Sequence, residues 1–279
     1  MYIKKPLEIE LITEGGELMG EILEQLAGMI KPGVSAGDID AEAERMIVAV
    51  GGKPAFKGYR GRRSDPPFPS TVCFSINEEL VHGIARKDKI VKDGDIVSLD
   101  IGMEWPMNKD QGKGTVSLRR GSKHSGGYFT DTALTIAVGK ISSETKKLMA
   151  VTKEALEVGI RAAQVGNTVA DIGRAIEDYV QKQGTYGIVR DLVGHGVGHA
   201  VHEDPRVPNY YDPDLETWIL QPGVVIAIEP MITLGGHEVT IAHDGWTIYT
   251  VDKSLNAHFE HTLVITENGP LVVTRRPGE

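Results

Sequence analysis

Four acidic side chains lie in or beside short apolar segments, where a charged group is costly. Asp100 interrupts the run DIVSLDI and Glu229 follows the apolar residues of VVIAIEP, while Asp131 and Glu260 lie in the strings TDT and FEHT. A buried carboxylate is unfavourable unless it is paired, hydrogen-bonded or bound to a metal. A single strand acid is usually capped or salt-bridged, but metal coordination would offset the cost of all four. The pattern therefore predicts a metal site.

The spacing of these acids indicates a repeat. The separation between Asp100 and Glu229 equals the separation between Asp131 and Glu260. The sequence around the first pair is also similar, because DGDIVSLDIGM resembles QPGVVIAIEPM. We therefore expect the acids to come from equivalent positions in two related halves of the chain.

The helical segments repeat as well. PGVSAGDID (32–40) resembles VGNTVADIG (165–173), with a slightly longer shift than the one between the acids. A period of ~130 is too long for a solenoid, whose repeats usually span ~20 to 50 residues. The sequence predicts one domain over 1–279, made of duplicated α+β halves at roughly 7–140 and 144–274 that close over a shared site.

A glycine-rich segment, LVGHGVGHAVHEDP, carries His195, His199 and His202. The first two could share a helix face at i and i+4, where one would be structural, but the interleaved glycines disfavour a helix. One histidine with four carboxylates would give an oxygen-rich pair of metal positions suited to divalent manganese, iron, cobalt or zinc. Two such ions can share a hydroxide and stabilise a tetrahedral intermediate, which fits peptide hydrolysis.

Apolar periodicity predicts the elements that position these groups. Helices are expected at about 7–30, with the first half weakened by Gly15 and Gly16, then from the N-cap Ser35 to Gly51 and Gly52, around Leu148 to Ala162, and from the N-cap Thr168 to about Gly184. Short apolar runs bounded by glycine or proline predict strands at 95–101, 224–230 and 259–266. The helices therefore come in two pairs.

Composition excludes several classes of protein. The chain has 279 residues, is 41% hydrophobic and carries a formal net charge of −9, which argues against a general nucleic-acid binder. One cysteine permits no internal disulfide, so we expect a reducing compartment and a cytoplasmic protein. No signal-peptide h-region and no run of ~18 apolar residues are present, so no membrane association is expected.

The strings VHGI, SLDIG, TDT, GHGVGHAVHEDP, AIEPM and FEHT resemble, in order and spacing, those of the bacterial type I methionine aminopeptidases. The resemblance implies an α+β pita-bread (creatinase/aminopeptidase) fold, with a central curved antiparallel sheet, outer helices and pseudo-two-fold halves. It also implies removal of the initiator methionine from nascent proteins when the second residue is small. In that family a hydroxide that bridges two divalent ions attacks the first peptide bond.

The resemblance assigns roles to individual residues. The metal ligands that it implies are Asp100, Asp131, His195, Glu229 and Glu260. Two histidines that hold the scissile amide and assist proton transfer are His82 and His202, and Glu229 also accepts the water proton. The methionine pocket that it implies comprises Cys73, Phe68 and Trp246, with Val201 as a further candidate, although Cys73 could equally be core packing. His199, His258 and His261 receive no role.

Two stretches depart from the family pattern. Residues 104–126 resemble an insertion between the two aspartate ligands, with five basic residues against two acidic ones, and KGYRGRRSDPPFPS (57–70) is basic and proline-rich. These loops are candidates for contact with ribosomal RNA. A plain solvated loop is the alternative.

Three other protein classes fit the sequence less well. A Xaa-Pro aminopeptidase or creatinase relative usually adds a large N-terminal domain, whereas the helices here begin near residue 7. A type II methionine aminopeptidase usually has a long insertion between His195 and Glu229, which are close in this sequence. A non-catalytic binding protein on this fold would normally lack some ligands. The resemblance favours a monomer.

Overall fold

The computed structural model describes residues 3–62, 65–107 and 126–279. Four helices occur there as two pairs: α1 (Pro6–Met29) with α2 (Ala36–Ala49), and α3 (Ser143–Ala162) with α4 (Val169–Gln183). The predicted pairs are confirmed. Helix α3 begins earlier than expected, because its first turn precedes Leu148, where the apolar pattern starts.

Helix α1 is continuous through its glycines. Its apolar face buries Ile12, Met19, Leu23 and Leu26 completely, and each such side chain contributes about 1.5–3 kcal/mol. A Cβ on Gly16 would lie 2.6 Å from the carbonyl oxygen of Val273. Gly16 lets the backbone at Val273 pack directly against the helix, and Gly15 lies against Trp105, so the two glycines do not interrupt its first half.

The helix starts show how the two halves correspond. Thr168 caps α4, because its side chain accepts from the backbone N–H of Asp171. Ser35 occupies the equivalent place before α2, but its hydroxyl donates to the carbonyl oxygen of Lys87 at 2.8 Å and makes no cap bond. The expected hydroxyl cap is therefore right for the second pair and wrong for the first.

Backbone contacts before these helices also correspond. The N–H of Gly33 donates to the carbonyl oxygen of Val91 at 2.8 Å, and the N–H of Gly166 donates to that of Leu220 at 3.0 Å. The two donors are related by the shift between the helical repeats, and the two acceptors by the shift between the acidic pairs. These contacts support the expected pseudo-two-fold relation.

Fifteen strands lie within the described residues. They are β1 (Lys53–Pro54), β2 (Val72–Ile76), β3 (Glu79–Val81), β4 (Ile96–Trp105), β5 (Tyr128–Ala137), β6 (Gly187–Ile188), β7 (Gly194–Gly196), β8 (Glu203–Val207), β9 (Val225–Ile228), β10 (Met231–Thr233), β11 (Val239–Ile241), β12 (Ile248–Thr250), β13 (Asn256–His258), β14 (Glu260–Thr266) and β15 (Gly269–Val272). Nine form one curved antiparallel sheet in the order β1-β4-β5-β14-β9-β7-β8, with β2 beside β4 and β15 beside β14.

Two smaller sheets flank the large one, in the orders β13-β10-β6 and β11-β12-β3. The main core lies between the helices and the large sheet, and it includes Leu26, Ile47, Leu99 and Ile228. This arrangement confirms the predicted α+β fold, in which the helices cover one face of the sheet. The opposite face of the large sheet is therefore available for a functional site.

The predicted insertion differs at its first residues. Strand β4 continues to Trp105, which pairs with Tyr128 at the start of β5, so residues 104 and 105 belong to the sheet. Residues 108–125, with all five basic side chains of the predicted insertion, lie outside the described residues. No helix in the described part of the chain is long and apolar enough to cross a membrane.

Candidate metal centre

Strand register brings three of the predicted ligands together. Asp100 of β4 and Glu260 of β14 both lie directly opposite Ala133 of β5, and Asp131 precedes Ala133 by two residues. Directly paired residues and residues two apart along a strand share a face of the sheet. The three carboxylates therefore project from adjacent strands toward the same point.

The other two predicted ligands come from the second half of the sheet. Glu229 directly follows β9, on the face shared with Ala227, whose strand partner is Thr262. His195 is the central residue of β7. Its Nε2 lies 3.6 Å from Oε1 of Glu229 and 3.8 Å from Oδ2 of Asp131. The structure thus brings all five predicted ligands into one cluster.

The donor set fits a divalent cation. Asp100, Asp131 and Glu260 offer oxygens that all lie within 4.8 Å of one another, and so do ligand atoms of His195, Glu229 and Glu260. The Nδ1 atom of His195 lies 3.0 Å from the carbonyl oxygen of Gly196. A proton on Nδ1 would satisfy this bond and leave the Nε2 lone pair toward the carboxylates, the usual state of a metal-binding histidine.

The burial of these carboxylates supports the same interpretation. One oxygen of Asp100 and one of Asp131 have no hydrogen-bond partner among the described residues. Burial, with the charge of Glu229, raises the pKa of Asp100 to about 6. Burial and the neighbouring carboxylates also raise the pKa values of Asp131 and Glu260 well above their usual range. Such crowding of like charges is unfavourable unless a cation neutralises it.

His82 is held in an uncommon backbone conformation beside the cluster. It follows β3 and has φ 56°, which only a few per cent of non-glycine residues adopt. The next residue, Gly83, packs against the backbone of Phe74, where a Cβ would overlap the Phe74 carbonyl oxygen. Burial lowers the pKa of His82 to about 4, so the imidazole is neutral at pH 7.

His202 lies on the other side of the cluster. Its ring centroid is 4.4 Å from that of His195, and its Nδ1 atom lies 2.9 Å from the Tyr59 hydroxyl. The ring is exposed to the cavity, but desolvation by the cavity walls lowers the pKa of His202 well below its usual value. His202 also belongs to a possible ligand set with Asp131 and His195.

The glycines around these histidines serve backbone packing. A Cβ on Gly194 would overlap the carbonyl oxygen of Ala227, and one on Gly196 would overlap that of Asp204. Glycines can also let a backbone approach a ligand closely. In the structure the close approach is instead to neighbouring strands, which fixes the position of His195.

A cavity of about 350 Å³ opens directly onto the acidic cluster. Its walls include the predicted pocket residues Cys73, Phe68 and Trp246. The Phe68 and Trp246 rings meet edge to face with centroids 5.3 Å apart. Cys73 lies opposite Asp100 in the sheet, and burial with the charge of Asp100 raises the pKa of its thiol well above the usual value. An apolar side chain therefore has a place beside the carboxylates.

Sequence reasoning missed several residues of this cavity. Phe56, Tyr59 and Met231 line it, whereas Val201 does not and belongs to a cluster of buried apolar side chains. Tyr59 lies in the proline-rich stretch, where no periodicity signals burial. Its proximity to the motif histidines arises only from tertiary folding, since it is 143 residues from its partner His202.

The three unassigned histidines lie in different surroundings. His199 lies away from the cavity, with Nε2 3.4 Å from Oε2 of Glu8 on α1. His261 is fully buried, with Nε2 3.2 Å from Oε2 of Glu279. His258 is also buried, and its Nε2 lies 3.4 Å from Oε2 of Glu229. Only His258 contacts the acidic cluster.

Comparison with known proteins agrees with this fold. Residues 10–267 match the model of metallopeptidase family M24. The chain therefore belongs to this family, whose members use divalent metals, and the predicted class of hydrolase is confirmed.

Two similar relatives and a similar solved structure are named methionine aminopeptidases. The chain is 41% identical over 274 residues to the methionine aminopeptidase of Clostridium acetobutylicum, covering 98% of each sequence. It is 41% identical over 272 residues to methionine aminopeptidase 1 of Bacillus subtilis, again covering 98% of each. The methionine aminopeptidase structure from Thermotoga maritima has a TM-score of 0.84 at 38% identity, over 98% of this chain and 99% of that chain.

The prolidase from Pyrococcus horikoshii shares the fold at lower similarity. Its TM-score is 0.71 at 23% identity, and the match covers 99% of this chain and 64% of that chain. The pita-bread fold and the resemblance to methionine aminopeptidases predicted from the sequence are both confirmed.

Proposed function

We propose that this protein removes the initiator methionine from nascent polypeptides when the second residue is small. The observation that carries the proposal is the cluster of four carboxylates and one histidine at the base of an apolar cavity. Relatives at 41% identity over nearly their whole length are methionine aminopeptidases. Together these support a metallo-exopeptidase that accepts one apolar N-terminal side chain.

The proposed centre holds two divalent ions, of manganese, iron, cobalt or zinc. Asp100, Asp131, His195, Glu229 and Glu260 are the proposed ligands. The ions would supply Lewis-acid polarisation of the scissile carbonyl and an activated water. Carboxylate oxygens with a single imidazole suit any of the four metals.

The neutral histidines bind and orient the scissile peptide. When the Tyr59 hydroxyl donates to Nδ1 of His202, the proton of the neutral ring is on Nε2, which then serves as a hydrogen-bond donor to the substrate. His82, held at positive φ beside Trp246, supplies the second donor. Glu229 accepts the proton that water releases.

The cavity supplies specificity for methionine. Phe68, Cys73 and Trp246 form an apolar wall beside the carboxylates. A flexible thioether side chain packs well against aromatic rings, which contributes about 0.3–1.5 kcal/mol per sulfur–aromatic contact. When the second residue of the substrate is small, its side chain does not keep the scissile peptide bond away from His82 and His202.

Peptide hydrolysis by metal-stripped protein tests this proposal. Met-Gly, Met-Ala, Met-Leu and Ala-Pro peptides are incubated with manganese, cobalt, iron or zinc added singly, and released amino acids are quantified. We expect methionine release only before small residues, dependent on metal and abolished by Asp100→Ala. Preferential cleavage of Ala-Pro would indicate a Xaa-Pro peptidase, and no release with any metal would indicate a binding protein.

We also propose that the enzyme works in the cytoplasm, in contact with the ribosome through its basic loops. The single cysteine is buried and unpaired. In the 57–70 loop, Lys57 already pairs with Glu44 at 2.7 Å, whereas 108–124 carries all five basic side chains of the predicted insertion, so that segment is tested first. Cosedimentation with ribosomes should be salt-sensitive and lost on deleting 108–124. Unchanged binding after the deletion would exclude that segment as the anchor.

A further inference from the structure

One buried histidine contacts the acidic cluster without being one of the proposed ligands. His258 ends β13 and is 1% exposed. Neither of its ring nitrogens has a hydrogen-bond partner within the described residues. A buried imidazole normally has a partner for its N–H, because an unsatisfied donor costs about 1–3 kcal/mol.

The backbone of His258 is fixed from two sides. The Thr135 hydroxyl accepts from its N–H at 2.8 Å and donates to its carbonyl oxygen at 2.9 Å. His258 also pairs with Met231 of β10, two residues after Glu229. These contacts leave the ring little freedom to move away from the Glu229 carboxylate.

Glu229 lies between two imidazoles. Its Oε1 atom is 3.6 Å from Nε2 of His195, and its Oε2 atom is 3.4 Å from Nε2 of His258. The Glu229 carbonyl oxygen accepts from the Asn209 side chain at 3.0 Å, so the backbone of Glu229 is held as well. The remaining freedom of Glu229 lies in its side-chain torsions, and the His258 ring faces one of the two carboxylate oxygens.

We propose that His258 is a positioning residue for Glu229. The Nε2–H group of His258 directs Oε2 of Glu229 and thereby orients Oε1 toward His195 and the other ligands. A small approach of the ring would turn the 3.4 Å contact into a hydrogen bond. Partners that orient ligating carboxylates typically change metal affinity by about 10–100-fold when they are removed. The inference rests on the proposed role of Glu229 as a ligand.

Metal titration calorimetry of metal-stripped protein tests it. His258→Leu removes the donor and keeps an apolar side chain of moderate size, while His258→Gln keeps an N–H donor. We expect His258→Leu to weaken binding of Mn²⁺ about 10–100-fold and to lower kcat more than it raises KM. The glutamine variant should recover most of both. His258→Met replaces the leucine variant if the latter does not fold.

A matched control is His261→Gln, because His261 is equally buried but its ring contacts Thr274 and Glu279 instead of Glu229. Its Mn²⁺ affinity should stay within about two-fold of the parent, well below the change expected for loss of an orienting partner. Parental affinity and kcat in His258→Leu, or equal loss in the leucine and glutamine variants, would overturn the positioning role. Failure of the parent itself to bind metal would instead refute the proposed function.

Discussion

Replacing Asp100 by asparagine should stabilise the metal-free protein while abolishing its activity. Burial raises the pKa of this carboxyl from its usual 3.8 to about 6. At about 1.4 kcal/mol per pH unit, the shift means that ionised Asp100 costs the fold about 3 kcal/mol. Asparagine has nearly the same shape and no charge, so it avoids the cost.

The pH dependence of this stabilisation follows from the direction of the pKa shift of Asp100. A carboxyl whose pKa is raised in the fold binds its proton more tightly there, so its favourable contribution exists below pH 3.8 and is lost as pH rises through about 6. The stability advantage of Asp100→Asn should therefore grow from about 1–2 kcal/mol at pH 5 to about 3 kcal/mol at pH 7.5.

Urea unfolding followed by circular dichroism, in EDTA at both pH values, measures this advantage. Manganese at about 100 times its dissociation constant should add about 2.7 kcal/mol to the parent and much less to the variant. Asp88→Asn is the control, because the Asp88 side chain is 82% exposed, and it should match the parent. An Asp100→Asn protein that is no more stable than the metal-free parent, or whose advantage does not change with pH, would refute the reasoning.

Three other substitutions have defined outcomes. Tyr59→Phe removes the partner of His202 and should lower kcat/KM about 2–10-fold with unchanged folding. Lys4→Met breaks the ion pair of a fully buried lysine with Glu203, and its urea midpoint should fall by the equivalent of about 3 kcal/mol. Burial alone would raise the pKa of Glu279, but its ionic partners hold it well below the usual range. Glu279→Gln should therefore lose about 1–2 kcal/mol at pH 7, and the loss should shrink below pH ~4.3, where the unfolded carboxyl takes up its proton.

The tyrosine and lysine substitutions each have a control in the same chain. Tyr210→Phe removes an exposed hydroxyl that donates to the Arg190 carbonyl and should leave kcat/KM unchanged. Lys31→Met changes an exposed lysine and should unfold like the parent. A full kcat/KM in Tyr59→Phe, parental stability in Lys4→Met, or a Glu279→Gln deficit that grows as pH falls would contradict the respective explanation.

The sequence predicted the features that depend on local pattern and on repeat spacing. The acids at positions 100, 131, 229 and 260 meet because each half contributes equivalent strands, and the equal spacing of the two acidic pairs already indicated this. The helix pairs followed from apolar periodicity. Fold class followed from the family resemblance, which the comparisons confirm.

Contacts between distant segments could not be predicted in this way. The contact of Tyr59 with His202 and the buried pair of Lys4 with Glu203 join residues 143 and 199 positions apart. Neither leaves a periodic signal, because each depends on how loops and the chain's first described residues pack. The role of Gly16 could not be predicted for the same reason, because it depends on the Val273 backbone that packs against this glycine.

The most direct test of the central claim is methionine release from a Met-Ala-Ser peptide by metal-stripped Asp131→Asn and parent protein, each titrated with Mn²⁺. Asp131 is 4% exposed and belongs to two of the possible ligand sets. We expect the parent to gain activity with metal and the variant, folded by circular dichroism, to lose more than about 100-fold, beyond the effect of an outer-shell partner. A folded variant that releases methionine at the parental rate would contradict the assignment of this cluster as the catalytic centre.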